Sequence, residues 1–181
     1  GTERVLLAEP LLKDVMLRYG CDHYQVVAYC SGADLESLKL MHPFYDREVP
    51  VILGDHVTTE AGTGCVHTAP GHGLDDYQTG LKYGLEIYCP IDDQGCYIDD
   101  GQVPADLVGR SVLAVKGWSD ANKAVLNHLE TTGTLVKLSK LNHSYPHCWR
   151  PKTPVIFRAR HQWFISVDQH HLRERARDAL G

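Results

Sequence analysis

The apolar residues of this chain come only in short runs. Sixteen glycines and nine prolines punctuate its 181 residues. No run approaches the ~20 residues that a membrane-spanning helix needs. Segments 5–8, 24–29, 51–53, 65–68, 85–91, 96–98, 134–138, 155–159 and 163–167 read as short strands, rich in Val, Ile, Tyr or Thr. Leu11, Leu12, Val15, Met16 and Tyr19 mark one helical face, and Gly20 stops it. A second helix is expected over 75–83, with acids at its start and Gly84 behind it. A third follows a Ser119 or Asp120 cap, with the face Ala121, Ala124, Val125 and Leu129, ending before Gly133. A polar helix begins at Leu172, Pro43 and Pro50 bracket a charged loop, and residues 92–95 form a turn. Strands and helices do not alternate regularly, which predicts an α+β fold, a barrel-like sheet with peripheral helices. A hydrophobic share of 43% can supply a core and excludes a disordered chain.

The net charge of −5 seems to oppose a nucleic-acid partner. Its distribution does not. Residues 1–130 hold 9 Lys/Arg against 20 Asp/Glu, a balance of −11. Residues 131–167 hold six bases (Lys137, Lys140, Arg150, Lys152, Arg158 and Arg160) and no acid. The last residues, 168–181, cancel at three against three. A phosphate backbone responds to a local patch rather than to the total. A surface that merely balances acidic neighbours is the competing reading, at about even odds.

Six cysteines are scattered without a C-x-x-C pair, which suits reduced thiols in a cytoplasmic protein. The chain opens Gly-Thr-Glu rather than with Met, as a piece of a longer protein would. Asn142-His143-Ser144 fits a glycosylation acceptor usable only after secretion. Cys65, His67 and His72, or His143, His147 and Cys148, invite a zinc reading, but neither trio has paired-ligand spacing, and no metal is expected.

The chemistry concentrates in Gly62-Thr63-Gly64-Cys65-Val66-His67-Thr68-Ala69-Pro70-Gly71-His72-Gly73-Leu74-Asp75-Asp76-Tyr77. A strand, a Pro/Gly loop and a helix start bearing two carboxylates can fold around a small pocket. An aspartate can hold an ammonium group, and a histidine can bond a ribose hydroxyl or move a proton. Each part also has an ordinary role. The glycines can serve a tight turn, His67 can be a satisfied core residue, and either aspartate can cap the helix. The residues alone do not choose between Asp75 and Asp76.

As a whole, G-T-G-C-V-H-T-A-P-G-H-G-x-D-D-Y closely resembles the signature of the inserted editing domain of bacterial-type isoleucyl-tRNA synthetases. Segment 143–150, H-S-Y-P-H-C-W-R, then Lys152-Thr153-Pro154 and Gln162-Trp163-Phe164, is similar to the stretch that follows that domain's core. Gly54-Asp55-His56-Val57 and Lys82-Tyr83-Gly84-Leu85 fit as well, and the resemblance runs from about residue 5 to 181.

The resemblance implies a helix-decorated β-barrel that hydrolyses valine wrongly esterified to the isoleucine tRNA. One missing methylene is worth only ~1–3 kcal/mol in a binding pocket, and isoleucine against valine is the standard example of that limit. It places the amino-group-binding aspartate at Asp76 and a ribose- or reaction-centre-orienting histidine at His67. Thr68, Gly71, His72 and Gly73 then shape the pocket wall, and Asp75 supports the helix start. Lys137, Lys140, Arg150 and Lys152 are candidate tRNA contacts. Residues 1–142 form the domain body, and 143–181 form a basic segment returning toward the parent enzyme's catalytic core. The implied partners are the valine-charged 3′ end of the isoleucine tRNA and the rest of the synthetase, with no membrane. ATP, and zinc where the parent carries it, belong outside this chain.

The family's threonine-rich strand, the other pocket wall, has no counterpart here and is expected upstream of Val5. The synthetic H-I-G-H motif is also absent. Lys137-Leu138-Ser139-Lys140-Leu141 resembles the ATP-loop motif only superficially and reads as an ordinary strand. A non-catalytic tRNA-contact or structural module is therefore the main alternative for the chain by itself.

Overall fold

A computed structural model describes residues 3–114, 117–140 and 144–180. The expected 142/143 boundary, the Asn142-His143 acceptor and Leu141 lie outside them. Helices form where periodicity and caps coincide. A 3-10 turn, Glu9–Leu11, leads into α1, Leu12–Tyr19, which buries Val15 and Met16 and ends on left-handed Gly20 (φ 71°). Helix α2, Leu74–Lys82, carries Asp75 and Asp76 in its first turn. It closes through Leu85 N–H to Gly80 C=O (2.8 Å), with Gly84 at φ 64°. Helix α3, Asp120–Thr131, is capped by Ser119, whose side chain accepts from Asn122 N–H at 3.1 Å. Helix α4, Leu172–Ala179, buries nothing.

The sheet departs from expectation. The described residues form one two-stranded antiparallel sheet, β1 (Lys39–Met41) with β2 (Glu48–Pro50), paired Lys39 to Pro50, Leu40 to Val49 and Met41 to Glu48. The loop expected between Pro43 and Pro50 is thus largely a hairpin, and its ladder extends to Val51, bonded to Leu38 C=O at 2.7 Å. His42 shapes the tip, its Nδ1 accepting from Phe44 and Tyr45 N–H at 3.3 and 3.0 Å. No barrel forms among the described residues. Apart from Val51, the segments expected as strands lie outside any ladder of more than a single bridge, such as Ile91 with Tyr97 or Cys96 with Ser111. Strand propensity describes a half-buried pleated surface, and without a partner edge it has nothing to pair with.

The turn at 92–95 forms as expected, with Asp92 Oδ1 accepting from Gln94 and Cys96 N–H at 2.9 and 2.8 Å. A small core of Val103, Leu107 and Ala124 lies under Phe44, Tyr97, Val108 and Val125. The chain exposes 14511 Å², whereas a compact monomer of its mass exposes ~8,800 Å². Much of the surplus is apolar, with Val27 and Tyr29 at least 70% exposed and Trp163 at 99%. No helix among the described residues is long and apolar enough to cross a membrane.

Candidate functional site

The loop ahead of α2 is tied down at several points. His72 N–H donates to Ala69 C=O at 2.8 Å, and its Nδ1 lies 3.0 Å from Phe157 C=O. Gly71 is buried, and its carbonyl accepts from Ala159 N–H at 2.8 Å. A Cβ on Gly71 would stand 2.2 Å from Tyr88 C=O, so only glycine permits this approach. A Cβ on Gly73 would come within 3.3 Å of the Asp76 carboxylate. Thr68 is half-buried beside these residues.

The two aspartates separate cleanly. Asp75 is exposed. Asp76 turns back over the loop, and its Oδ2 accepts from Ala69 N–H at 3.0 Å. Its other oxygen, Oδ1, lies 3.9 Å from His56 Nε2, with both side chains about a quarter exposed. A carboxylate in the first helical turn also gains from the helix dipole.

His56 is the residue that sequence reasoning passed over, although it stood inside the quoted Gly54-Asp55-His56-Val57 segment. A turn closed by Val57 N–H to Gly54 C=O (3.1 Å) folds its ring onto Gly54, where a Cβ would meet the ring at 2.7 Å. Tyr83, at the end of α2, holds that segment against the helix. Its hydroxyl accepts from Leu53 N–H at 3.1 Å and donates to Glu36 Oε1 at 2.6 Å. His56 Nε2 is buried and has no hydrogen-bond partner among the described residues, a state that costs ~1–3 kcal/mol. The His56 ring itself lines a depression of about 200 Å³ together with Leu53, Asp55, Asp75, Gln78, Thr79 and Lys82.

His67 does not join this group. It is exposed, its ring centroid lies 6.4 Å from that of His42, and no hydrogen bond or ion pair links it to Asp76 among the described residues. No contact between His67 and Asp76 marks a shared open pocket among the described residues. An extended segment pairs with what its sides meet, and His67 meets the β1–β2 hairpin. Burial, then the Arg47 guanidinium and the neighbouring His67 ring, hold the His42 imidazole below its ordinary value. Burial also raises the Cys65 thiol, leaving it a poor nucleophile. No trio of His, Cys, Asp or Glu among the described residues is arranged to hold a metal.

The basic stretch divides in two. Arg158 donates to Ile91 C=O at 2.8 Å and to Asp93 at 2.6 Å, and Arg160 also contacts Asp93. These two line an open depression of about 510 Å³ with Cys89, Gln94 and His161. Lys137, Lys140, Arg150 and Lys152 are exposed. Arg150 and Lys152 sit at the tip of a turn bridged by His147 and Pro154, where the Arg150 guanidinium lies 4.8 Å from the centroid of the Trp149 ring.

Residues 29–109 match the family model described as the leucyl-tRNA synthetase editing domain. The matched residues thus place this part of the chain with the editing domains of class I aminoacyl-tRNA synthetases. Over 99% of its length the chain is 52% identical to the isoleucine--tRNA ligase of Methylococcus capsulatus, and over 96% it is 53% identical to that of Halorhodospira halophila. The corresponding ligase of Idiomarina loihiensis is 51% identical over 98% of the chain. The chain belongs to the isoleucine--tRNA ligase family, as a segment of its editing domain. It spans 17–18% of the length of these relatives.

Proposed function

We propose that this segment hydrolyses valine wrongly esterified to the isoleucine tRNA, so that its parent ligase delivers isoleucine to translation in the cytoplasm. The observation that carries the proposal is the Asp76 carboxylate. One oxygen is held by Ala69 N–H and the other has no hydrogen bond among the described residues, at the end of the loop that brings Thr68, Gly71, His72 and Gly73 together. Such a carboxylate can hold the ammonium of an aminoacyl ester. Water then adds to the ester carbonyl and the bond to the ribose oxygen breaks, with the neighbouring ribose hydroxyl assisting. His67 orients the terminal ribose from the hairpin side, and Asp75 supports the helix. The 3′ end of the tRNA runs toward Lys137, Lys140, Arg150 and Lys152. This hydrolysis uses no cofactor on the segment, and ATP serves the parent's synthetic site.

In the full-length ligase carrying this segment, Asp76→Ala abolishes clearance of valyl-tRNA while isoleucine activation persists. Normal clearance by that variant would refute the assignment. His67→Ala gives a partial loss, as expected of a positioning group.

A second reading applies to the 181-residue chain alone. The absence of any hydrogen bond or ion pair between His67 and Asp76 among the described residues, together with 14511 Å² of exposed surface, favours a tRNA-contact module with little turnover. Deacylation by the isolated chain at the rate of the full-length enzyme would exclude it.

A further inference from the structure

His56 lies outside the signature loop, yet it is the imidazole nearest the carboxylate that the proposed function depends on. Its Nε2 is sealed from solvent, has no hydrogen-bond partner among the described residues and stands 3.9 Å from Asp76 Oδ1. That separation is ~1 Å longer than an ordinary N–H···O bond. Ala69 N–H already takes the other oxygen, Oδ2. The ring is aimed by the 54–57 turn and by the bare Cα of Gly54 beneath it, and the turn is fastened to α2 through Tyr83 and Leu53.

The geometry points to His56 as the positioning residue for Asp76: its Nε2–H faces Oδ1 and, with Ala69 N–H on Oδ2, fixes the plane of the carboxylate that receives the substrate's ammonium group. This rests on the ammonium-binding role given to Asp76 above. A carboxylate held by one oxygen can swing about its Cβ–Cγ bond. With Nε2 facing Oδ1 across 3.9 Å as well, that swing is limited and the carboxylate meets the ammonium already oriented, which favours binding more than bond breaking. Because Nε2 is sealed from solvent, that atom acts through Asp76 and not on the substrate directly.

The test uses the full-length ligase carrying this segment, with steady-state deacylation of valyl-tRNA for His56→Phe, His56→Gln, Gly54→Ala and Asp76→Asn. His56→Phe keeps the ring but loses the donor, and should raise KM on the order of 10-fold while kcat changes little. His56→Gln restores an N–H donor and should recover most of that loss. Gly54→Ala pushes only a movable ring, so it should reproduce the KM effect of His56→Phe with an unchanged melting temperature.

An unchanged KM in His56→Phe, while Asp76→Asn is inactive, overturns the positioning role and leaves the Asp76 assignment standing. Equal losses of kcat and stability in His56→Phe and His56→Gln, without recovery, also overturn it by reducing His56 to packing. Wild-type clearance by Asp76→Asn defeats the proposed function itself, and the positioning role falls with it.

Discussion

Replacing Gly80 with alanine sets two effects of opposite sign against each other. Inside a helix, Ala is favoured over Gly by ~1 kcal/mol. Gly80 lies within α2 and is buried. A Cβ there would stand 2.7 Å from Pro70 Cβ and 2.8 Å from Pro70 Cγ. Carbon atoms prefer ~3.5–4.0 Å, so the proline must retreat by roughly 0.8 Å. A pyrrolidine ring cannot swing aside as a flexible side-chain tip can, and overpacking of this kind costs ~1–3 kcal/mol. Taking ~2 kcal/mol for the contact and ~1 kcal/mol for propensity, Gly80→Ala should destabilise by ~1 kcal/mol, or ~2–4 °C in Tm for a chain of this size. Urea unfolding of Gly80→Ala, Pro70→Gly and the double variant measures the pairwise contribution directly. In the Pro70→Gly background, where the obstructing ring is gone, Gly80→Ala should become stabilising by ~1 kcal/mol. Stabilisation by Gly80→Ala in the native background, or equal effects in both backgrounds, would refute the steric argument. Because Pro70 follows Ala69, whose N–H holds Asp76, the same displacement should weaken that hydrogen bond.

Three further expectations follow from other parts of the molecule. His42 has a lowered folded value, so its stabilising contribution is present above the unfolded value of 6.5 and is lost as pH falls below it. His42→Asn, whose amide oxygen can replace Nδ1 as acceptor, should flatten the unfolding midpoint between pH 5 and 7, and an unchanged slope would place the titration elsewhere. Arg158→Met breaks two hydrogen bonds at a side chain only 17% exposed and should cost ~1–3 kcal/mol. The more exposed Arg160→Met should cost less than ~1 kcal/mol in the same thermal melts. Replacing Lys137, Lys140, Arg150 or Lys152 singly with Ala in the full-length ligase should weaken tRNA binding and reduce its salt dependence. Unchanged affinity and slope would leave that patch a surface that balances its acidic neighbours.

The helices were legible because their signals are local. The spacing of Leu11, Val15 and Met16, the Ser119 cap and the stops at Gly20, Gly84 and Gly133 act within a turn or two, and the helices end where these residues dictate. The strands were not, since a ladder needs an edge from a distant part of the chain. Val26, Val27, Val136 and Leu138 have the right composition and no such edge among the described residues. The β1–β2 hairpin shows the converse. Its strands are short, carry one charge each and are exposed except at Val49, yet they pair because a short loop around His42 brings them together.

The site divides along the same line. Residues 62–77 already carried the glycine-rich loop, the histidines and the paired acids, because these are matters of residue type and spacing. Residue type and spacing left the two acids equivalent and the family resemblance pointed to Asp76; tertiary structure sets them apart by aiming Asp76 at Ala69 N–H and leaving Asp75 exposed. It likewise brought in His56 across a 20-residue separation and carried His67 to the hairpin instead. Adjacent residues in the first turn of a helix point about 100° apart. Which one faces the loop is therefore decided by how the helix docks, through Gly80 against Pro70 and Tyr83 against Leu53, and not by either aspartate's immediate neighbours.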